Sequence, residues 1–264
     1  MIDLDQTSWS HPRKDSLLAR EKLANAASLG LLADSAMIAH GRGEAFDYLI
    51  GERTTESAKL AIREVASRLK AAENPVISVN GNTVVLAGKQ LIRVAAVVGC
   101  PIEVNLFYRT PSRVEGLLSL LGEQQDRVRK EQAPEGFGGN WGASVSSVEL
   151  FGSEEDGRIE GLEGPRSICS AKGIQAADTI LVPLEDGDRC QALVALGKEV
   201  LVIDLNPLSR TAICANVTIV DEVARAAEAL LIELVSNDLG PTDWNNHVAL
   251  REALETMAAA SDRI

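Results

Sequence analysis

Arginines recur in the polar segments of this chain, at Arg13, Arg20, Arg42, Arg53, Arg109, Arg189 and Arg210. A guanidinium grips a phosphate or carboxylate with two parallel hydrogen bonds, so a gathered set suits an anionic ligand. Taken singly, each is as readily a solvated surface charge. Amide and acidic residues cluster too: Asn80-Gly81-Asn82, Glu103 with Asn105, Asp186-Gly187-Asp188, Asp204-Leu205-Asn206 and Asp221-Glu222. Each cluster also has a plain reading as a turn or a helix cap. Familiar phosphate cradles are missing. No G-x-x-x-x-G-K-[ST] occurs, and Gly41-Arg42-Gly43 has Phe46 where the third glycine of G-x-G-x-x-G would stand. A nucleotide would therefore be held by side-chain cations and helix N-termini. His11 and His40 each precede a turn, which favours a structural or ligand-contact role over catalysis. Cys100, Cys169, Cys190 and Cys214 form no C-x-x-C pair, and with three histidines no zinc site is expected.

These residues make a site only if the elements around them bring them together. Leu17, Leu18, Leu23 and Leu31 give a helix over 12–31, with Ser16 as a candidate cap. Residues 36–53 read as a glycine-containing loop with a short apolar insert. Thr54 or Thr55 opens a helix through Ala72, with Leu60, Ile62, Val65 and Leu69 as its apolar stripe. A strand over Val76–Val79 is followed by a helix over 83–98, a strand over Ile102–Tyr108 and a helix from Ser112 to Lys130. The glycine-rich stretch 131–170 reads as the most loop-like part, suited to a lid, a partner contact or local mobility. Beyond it come strands at Thr179–Leu184, Glu199–Leu205 and Val217–Val220, and helices at 188–198, 208–215, 221–235 and 245–260.

Short β-branched runs alternating with helices predict a mainly parallel sheet with helices on both faces. The fold class is α/β, Rossmann-like, with an N-terminal helical segment. One α/β domain is expected over residues 1–236: N-terminal helices and an arginine-rich loop (1–74), then the core (75–236) with a loop-rich insert (131–177). A helical tail, 237–264, follows. Every strand's carboxyl end is polar, whereas the opposite edge carries plainer loops such as Gly99-Cys100-Pro101 and Leu196-Gly197-Lys198. Ligands of doubly wound sheets collect at the carboxyl ends.

Composition sets the outer limits. With 264 residues, 45% of them hydrophobic, the chain can bury a full core. A net charge of −12 speaks against a general nucleic-acid binder and against an anionic membrane surface. No run of about 18 uninterrupted apolar residues occurs, so no transmembrane helix is expected. Met1–Arg13 has no apolar stretch of signal-peptide type. A cytoplasmic protein with reduced thiols is expected. The acidity lies mainly outside the arginine-bearing segments, and four of the nine aromatic residues, Phe46, Tyr48, Phe107 and Tyr108, lie inside them.

Several ordered blocks carry a more specific signal. His11-Pro12-Arg13 with Arg20-Glu21-Lys22, AHGRGEAFDYLIGERT (39–54), ENPVISVNGN (73–82), EVNLFYRT (103–110), VPLEDGDR (182–189) and IDLNPLSRTA (203–212) closely resemble the archaeal phosphopantothenate synthetase family over most of residues 11–225. The resemblance implies a homodimeric, ATP-dependent ligase of coenzyme A biosynthesis, working with Mg²⁺. It would join 4-phosphopantoate to β-alanine, giving 4′-phosphopantothenate, AMP and pyrophosphate through an acyl-adenylate. It carries ATP contacts onto Arg20, Arg42, Asp204-Leu205-Asn206, Arg210-Thr211 and Glu222-Val223. The family commonly has serine where Thr211 stands and often Asn-Ile where Glu222-Val223 stand. For the other substrates the candidates are Arg109 and Arg189 for phosphate or carboxylate, and Asn80 and Asn105 for hydroxyl and carbonyl groups. Asp186 and Asp188 are candidates for the β-alanine ammonium or a water-held Mg²⁺, with no metal ligated directly by protein. No residue is assigned to take the amine proton. The alternative reading is a non-catalytic nucleotide-binding α/β regulatory module. A Rossmann oxidoreductase is disfavoured by the missing glycine fingerprint.

Overall fold

A computed structural model of the chain describes residues 13–184, 186–236 and 240–264. His11 and Glu185 lie outside the described residues. Three helices open the chain: α1 (Lys14–Ser28), α2 (Ser35–Ile50) and α3 (Glu56–Ala71). The core then alternates β1 (Pro75–Val79), α4 (Gly81–Val98), β2 (Ile102–Val104), α5 (Pro111–Val128), α6 (Trp141–Ser146) and β3 (Leu150–Phe151). A small antiparallel pair, β4 (Gly157–Arg158) with β5 (Ile168–Cys169), leads to β6 (Thr179–Pro183). The chain continues through α7 (Gly187–Ala195), β7 (Glu199–Ile203), α8 (Arg210–Cys214), β8 (Val217–Ile219), α9 (Val223–Ser236) and α10 (Asn246–Ala258).

The sheet is six-stranded and parallel, in the order β3-β2-β1-β6-β7-β8. The alternation of each strand sorts its side chains between two cores. Ile77, Val79, Leu181, Leu201, Ile203, Val217 and Ile219 meet α3, α4, α5 and α9 on one face. Val76, Ile180, Val182, Val200 and Val202 pack with Ile174, Cys190 and Leu193 on the other. The chain steps outward from β1 to β2 and β3, then returns to the far side of β1 as β6. Strands β1 and β6 therefore flank the point where the sheet reverses its direction of growth. Helix α4 is long and apolar enough to cross a membrane by composition alone, but it is a core helix, 61% buried.

Local chemistry sets most helix starts. Thr55, Asn80, Thr110, Asp186, Ser209 and Asn245 are N-caps whose side chains accept a backbone N–H from the first turn. Ser16 does not cap α1; it lies within the helix and donates to Glu44.

Two further expectations change, and the loop-like stretch proves packed. Residues 36–53 are not a loop: Ser35–Ile50 is helical despite Gly41 and Gly43. Tertiary contacts override the glycine cost of about 1 kcal/mol each. A Cβ on Gly43 would sit 3.6 Å from Leu205, and Arg225 pairs with Asp47 at 2.6 Å. The second strand stops at Val104 rather than Tyr108, because the Asn105 side chain turns to bond Ile168 C=O at 3.1 Å and Phe107-Tyr108 form an exposed turn. Residues 131–170 are largely irregular but packed: Trp141, Val145, Val148 and Ile159 are buried, and the Trp141 indole donates to Val128 C=O at 3.1 Å.

Glu103 ties β2 to the wide turn Ala171–Gln175. Its two oxygens accept the N–H groups of Ser170 (2.9 Å) and Ile174 (2.8 Å). Gly173 permits this approach; a Cβ there would collide with the carboxylate. Burial, opposed by those two backbone donors, pushes the Glu103 carboxyl up to about 7 from 4.5. The folded state thus holds this proton more tightly than the unfolded chain, and stability falls as pH rises from 4.5 to about 7. The effect is on the order of 3 kcal/mol. In urea titrations across that window, Glu103→Gln should show a flatter decline than the wild type; parallel declines would contradict the assignment.

Candidate active site

The carboxyl ends of β1, β2 and β6 meet at the reversal point. A cleft of about 360 Å³ opens there, lined by Asn80, Asn105, Leu184, Asp186, Arg189 and Arg113, with Phe107 and Tyr108 beside them. Leu31, Leu32, Ala36 and Ala39, from the α1–α2 connection and the start of α2, form its apolar wall.

Asn80 closes the sheet below this cleft. Its Oδ1 accepts from Thr83 N at 3.1 Å, while its Nδ2 donates to Leu184 C=O at 2.7 Å, so one side chain spans β1 and β6. Leu184 holds a left-handed backbone, φ 59°, that a branched residue adopts only when its surroundings impose it. The Leu184 N–H donates to Ile203 C=O at 3.0 Å, which completes the restraint. Asn105 is buried; besides bonding Ile168 C=O, its Oδ1 accepts from the buried Arg189 guanidinium.

Arg166 joins Asp186 and Phe107, two residues of the cleft lining. Its Nη1 lies 2.8 Å from Asp186 and 3.2 Å from Asp188, and its guanidinium stands 4.9 Å over the Phe107 ring. Arg210 pairs with Asp188 at 2.7 Å and bonds Gln191 Oε1 at 2.7 Å. Arg166 and Arg210 hold the Asp188 carboxyl below its usual range. A Cβ on Gly187 would come within 2.7 Å of the Arg210 Cβ, so the glycine lets α7 and α8 start side by side. Two aspartates already paired with arginines do not make a divalent-metal ligand set. Among the described residues, no group of three or more His, Cys, Asp or Glu side chains converges to hold a metal.

Along the same edge, Asp204 accepts from Asn206 N at 2.9 Å and from the Ser209 hydroxyl. Burial pushes its carboxyl up against those hydrogen bonds and the charge of Arg42 on α2. Asn206 accepts from Leu208 N at 3.0 Å. Leu205 and Thr211 are buried, Leu205 among Ile50, Ala212, Val220 and Leu250. At the end of β8, Glu222 accepts Ala224 N at 3.0 Å and Arg225 N at 2.9 Å, capping α9, whose first residue is the buried Val223.

On the other side of α2, a cavity of about 640 Å³ is lined by Ser16, His40, Glu44, Tyr48, Glu222 and Arg225, among others. Arg20 reaches the Glu44 carboxylate from α1. Burial lowers the His40 pKa, against the charges of Glu44 and Glu222 and with that of Arg20. His40 thus feels the charges of both Arg20 and Glu222.

A model of the phosphopantothenate/pantothenate synthetase family matches residues 57–260. The chain belongs to this family. Curated relatives carry the name 4-phosphopantoate–β-alanine ligase. The one from Methanosarcina mazei is 47% identical over 216 residues, covering 82% of this chain and 77% of its own. That from Thermococcus onnurineus is 48% identical over 217 residues (82% and 76%), and that from Methanospirillum hungatei 46% over 217 residues (82% and 80%).

The strand-end residues lie along the carboxyl edge of the sheet. Asn80, Asn105, Asp186 and Arg189 line the cleft, with Asp188 and Arg210 joined to it through Arg166. Arg42, Asp204-Leu205-Asn206 and Thr211 continue it past β7. Glu222 lines one cavity with His40, and the charges of Arg20 and Glu222 both act on that imidazole. Arg109 does not join the cleft: its guanidinium turns to Gly152 C=O at 2.7 Å and Glu155 at 3.3 Å. The sequence reading passed over Arg113, Arg166 and Glu44. Arg113 follows a visible cap signal, Thr110-Pro111, which would have placed it in the first turn of α5. Arg166 lies in the stretch read as loop, and nothing local marks it.

Proposed function

We propose that this protein is an ATP-dependent, AMP-forming carbon–nitrogen ligase that condenses 4-phosphopantoate with β-alanine to 4′-phosphopantothenate, serving coenzyme A biosynthesis. The observation that carries the reading is the placement of the motif residues Asn80, Asn105, Asp186 and Arg189 around a cleft with one apolar wall at the reversal point between β1 and β6.

In this reading ATP lies along the ends of β7 and β8. It contacts Asp204, Leu205, Asn206, Arg210, Thr211, Glu222 and Val223, with Arg42 and Arg20 toward the phosphates. Asp204 suits a ribose or amine hydrogen bond. The Glu222 side chain already caps α9, which favours a contact at Glu222-Val223 made through other atoms of that segment. The 360 Å³ cleft takes 4-phosphopantoate. Leu31, Leu32 and Ala36 face its geminal methyl groups, Arg189 and Arg113 its anionic ends, and Asn80 and Asn105 its hydroxyl and carbonyl oxygens. Asp186 and Asp188 attract the β-alanine ammonium.

The chemistry has two steps. A phosphopantoate carboxylate oxygen attacks the α-phosphorus of ATP; the bond to the β-phosphate oxygen breaks and pyrophosphate leaves. The carboxylate is already ionised, so this step needs no general base. Arginines fixed beforehand neutralise the charge that grows on the leaving group. The β-alanine amine, having lost a proton from its ammonium form, then attacks the acyl carbon. AMP departs with the electron pair of the broken C–O bond, and the new C–N bond sheds its remaining extra proton. Mg²⁺ accompanies the nucleotide without a direct protein ligand set, and no step is assigned to it. The reading includes a cytoplasmic homodimer, for which the exposed Leu29, Ile38 and Leu49 on the N-terminal helices supply apolar surface. It treats residues 1–236 as the ligase domain and 237–264 as a supporting tail.

Purified protein should release AMP from ATP only when both 4-phosphopantoate and β-alanine are present. ADP formation, or ATP binding without substrate-dependent AMP release, would replace the ligase with another activity or with a regulatory module. Arg42 makes one charge-assisted contact to phosphate in this reading, worth about 1.5–3 kcal/mol. Arg42→Ala should therefore raise the KM for ATP roughly tenfold to a hundredfold with an unchanged urea midpoint. Unchanged ATP kinetics would remove Arg42 from the site.

A further inference from the structure

We infer that Glu44 is a positioning residue: it fixes the Arg20 guanidinium by one edge and so sets how that partly exposed group meets a phosphate oxygen of ATP. The inference rests on the ATP-ligase reading above and adds a residue to its site.

Glu44 sits one helical turn after His40 on α2 and faces α1. Arg20 Nε lies 2.9 Å from its Oε1 and 3.0 Å from its Oε2, and Arg20 Nη2 lies 2.9 Å from Oε2. Ser16, one turn before Arg20 on α1, donates its hydroxyl to Oε1 at 2.7 Å. These contacts occupy the Nε–Nη2 side of a planar fork that carries five N–H donors. The Tyr48 hydroxyl also acts on this guanidinium, and the fork carries more N–H donors than these partners use. Exposure follows the same direction: the Glu44 side chain is 16% exposed and that of Arg20 43%. The carboxylate is the inner anchor and the guanidinium the outer part. A largely enclosed carboxylate needs a cation and hydrogen bonds, so the two residues behave as one unit spanning α1 and α2.

The unit stands beside the nucleotide segment. His40 Nε2 is 3.9 Å from Glu44 Oε1, and the same imidazole feels the charge of Glu222. Glu44 and Glu222 line one cavity. Orientation and restraint predict opposite effects here. If Glu44 orients Arg20, removing it releases a long flexible side chain whose ordering must then be supplied by ATP binding. If it merely neutralises Arg20, removing it frees a cation and tightens ATP.

The test is calorimetric titration of the full chain with α,β-methylene-ATP, alongside AMP-release kinetics, on wild type, Glu44→Gln, Glu44→Ala, Arg20→Ala and the Arg20→Ala/Glu44→Ala double variant. Glu44→Ala should weaken analogue binding and raise the KM for ATP about tenfold, with the KM for β-alanine unchanged. Glu44→Gln keeps an acceptor for Nε and should recover part of the loss, and it serves alone if the alanine variant does not fold. On the Arg20→Ala background, Glu44→Ala should add no further loss. Unchanged or tighter analogue binding in Glu44→Gln would overturn the inference, as would a full Glu44→Ala loss without Arg20. Because calorimetry needs no turnover, the expected binding pattern in a protein that releases no AMP would support the role of Glu44 and contradict the ligase reading instead.

Discussion

Where a parallel sheet reverses its direction of growth, the chains leaving two neighbouring strands depart to opposite sides and leave a crevice between them. In this protein that constraint falls between β1 and β6, and the other features of the site depend on it. The crevice has to be held open above and closed below. Asn80 closes it by capping α4 with one side-chain atom and bonding Leu184 C=O with another. The left-handed Leu184 redirects the chain so that Asp186 can start α7 at the rim. Glu103 on β2 and Asn105 just beyond its end fasten the stretch from Ile168 to Ile174 beside the opening.

The second requirement is a helix laid across the carboxyl edge. Helix α2 carries two interior glycines and would be weak alone. It is held by charge and by a separate apolar cluster. Glu44 meets Arg20, Asp47 meets Arg225, and Arg263 donates to the Tyr48 and Leu49 carbonyls at its end. Ile50 packs with Leu205, Ala212, Val220, Leu250, Ala253 and Met257. Helix α10 thus supports both α2 and the turn after β7. Thr242 ties the chain before α10 to Glu64 on α3 through backbone and hydroxyl donors, the hydroxyl at 2.7 Å.

Much of this was legible in the sequence. Continuous runs such as Val76–Val79 and Val200–Ile203 read as buried parallel strands, and the polar carboxyl edge followed from them. Asp186 as a cap was among the plain readings of its cluster, whereas Asn80 was read as a turn residue and caps α4 instead. Helix α2 was missed because its stability comes from residues far along the chain, Arg20, Arg225 and Arg263, rather than from its own propensities. The second strand was drawn too long because Asn105-Leu106-Phe107-Tyr108 has β-type residues, while the Asn105 side chain pairs with groups more than sixty positions away. The pairing of Asp186 and Asp188 with Arg166 is likewise a fact of tertiary structure. It changes what these carboxylates offer: charge already shared with a cation, rather than a free metal-binding pair.

The central claim is that nucleotide and acid substrate meet along one edge, ATP over the ends of β7 and β8 and the acid in the cleft between β1 and β6. A crystal structure of the protein with α,β-methylene-ATP tests it most directly. The account predicts the adenosine against residues 204–206 and 222–223, the phosphates toward Arg42 and Arg20, and the β1–β6 cleft left for the second substrate. An analogue filling that cleft, or bound at the amino edge of the sheet, would contradict it.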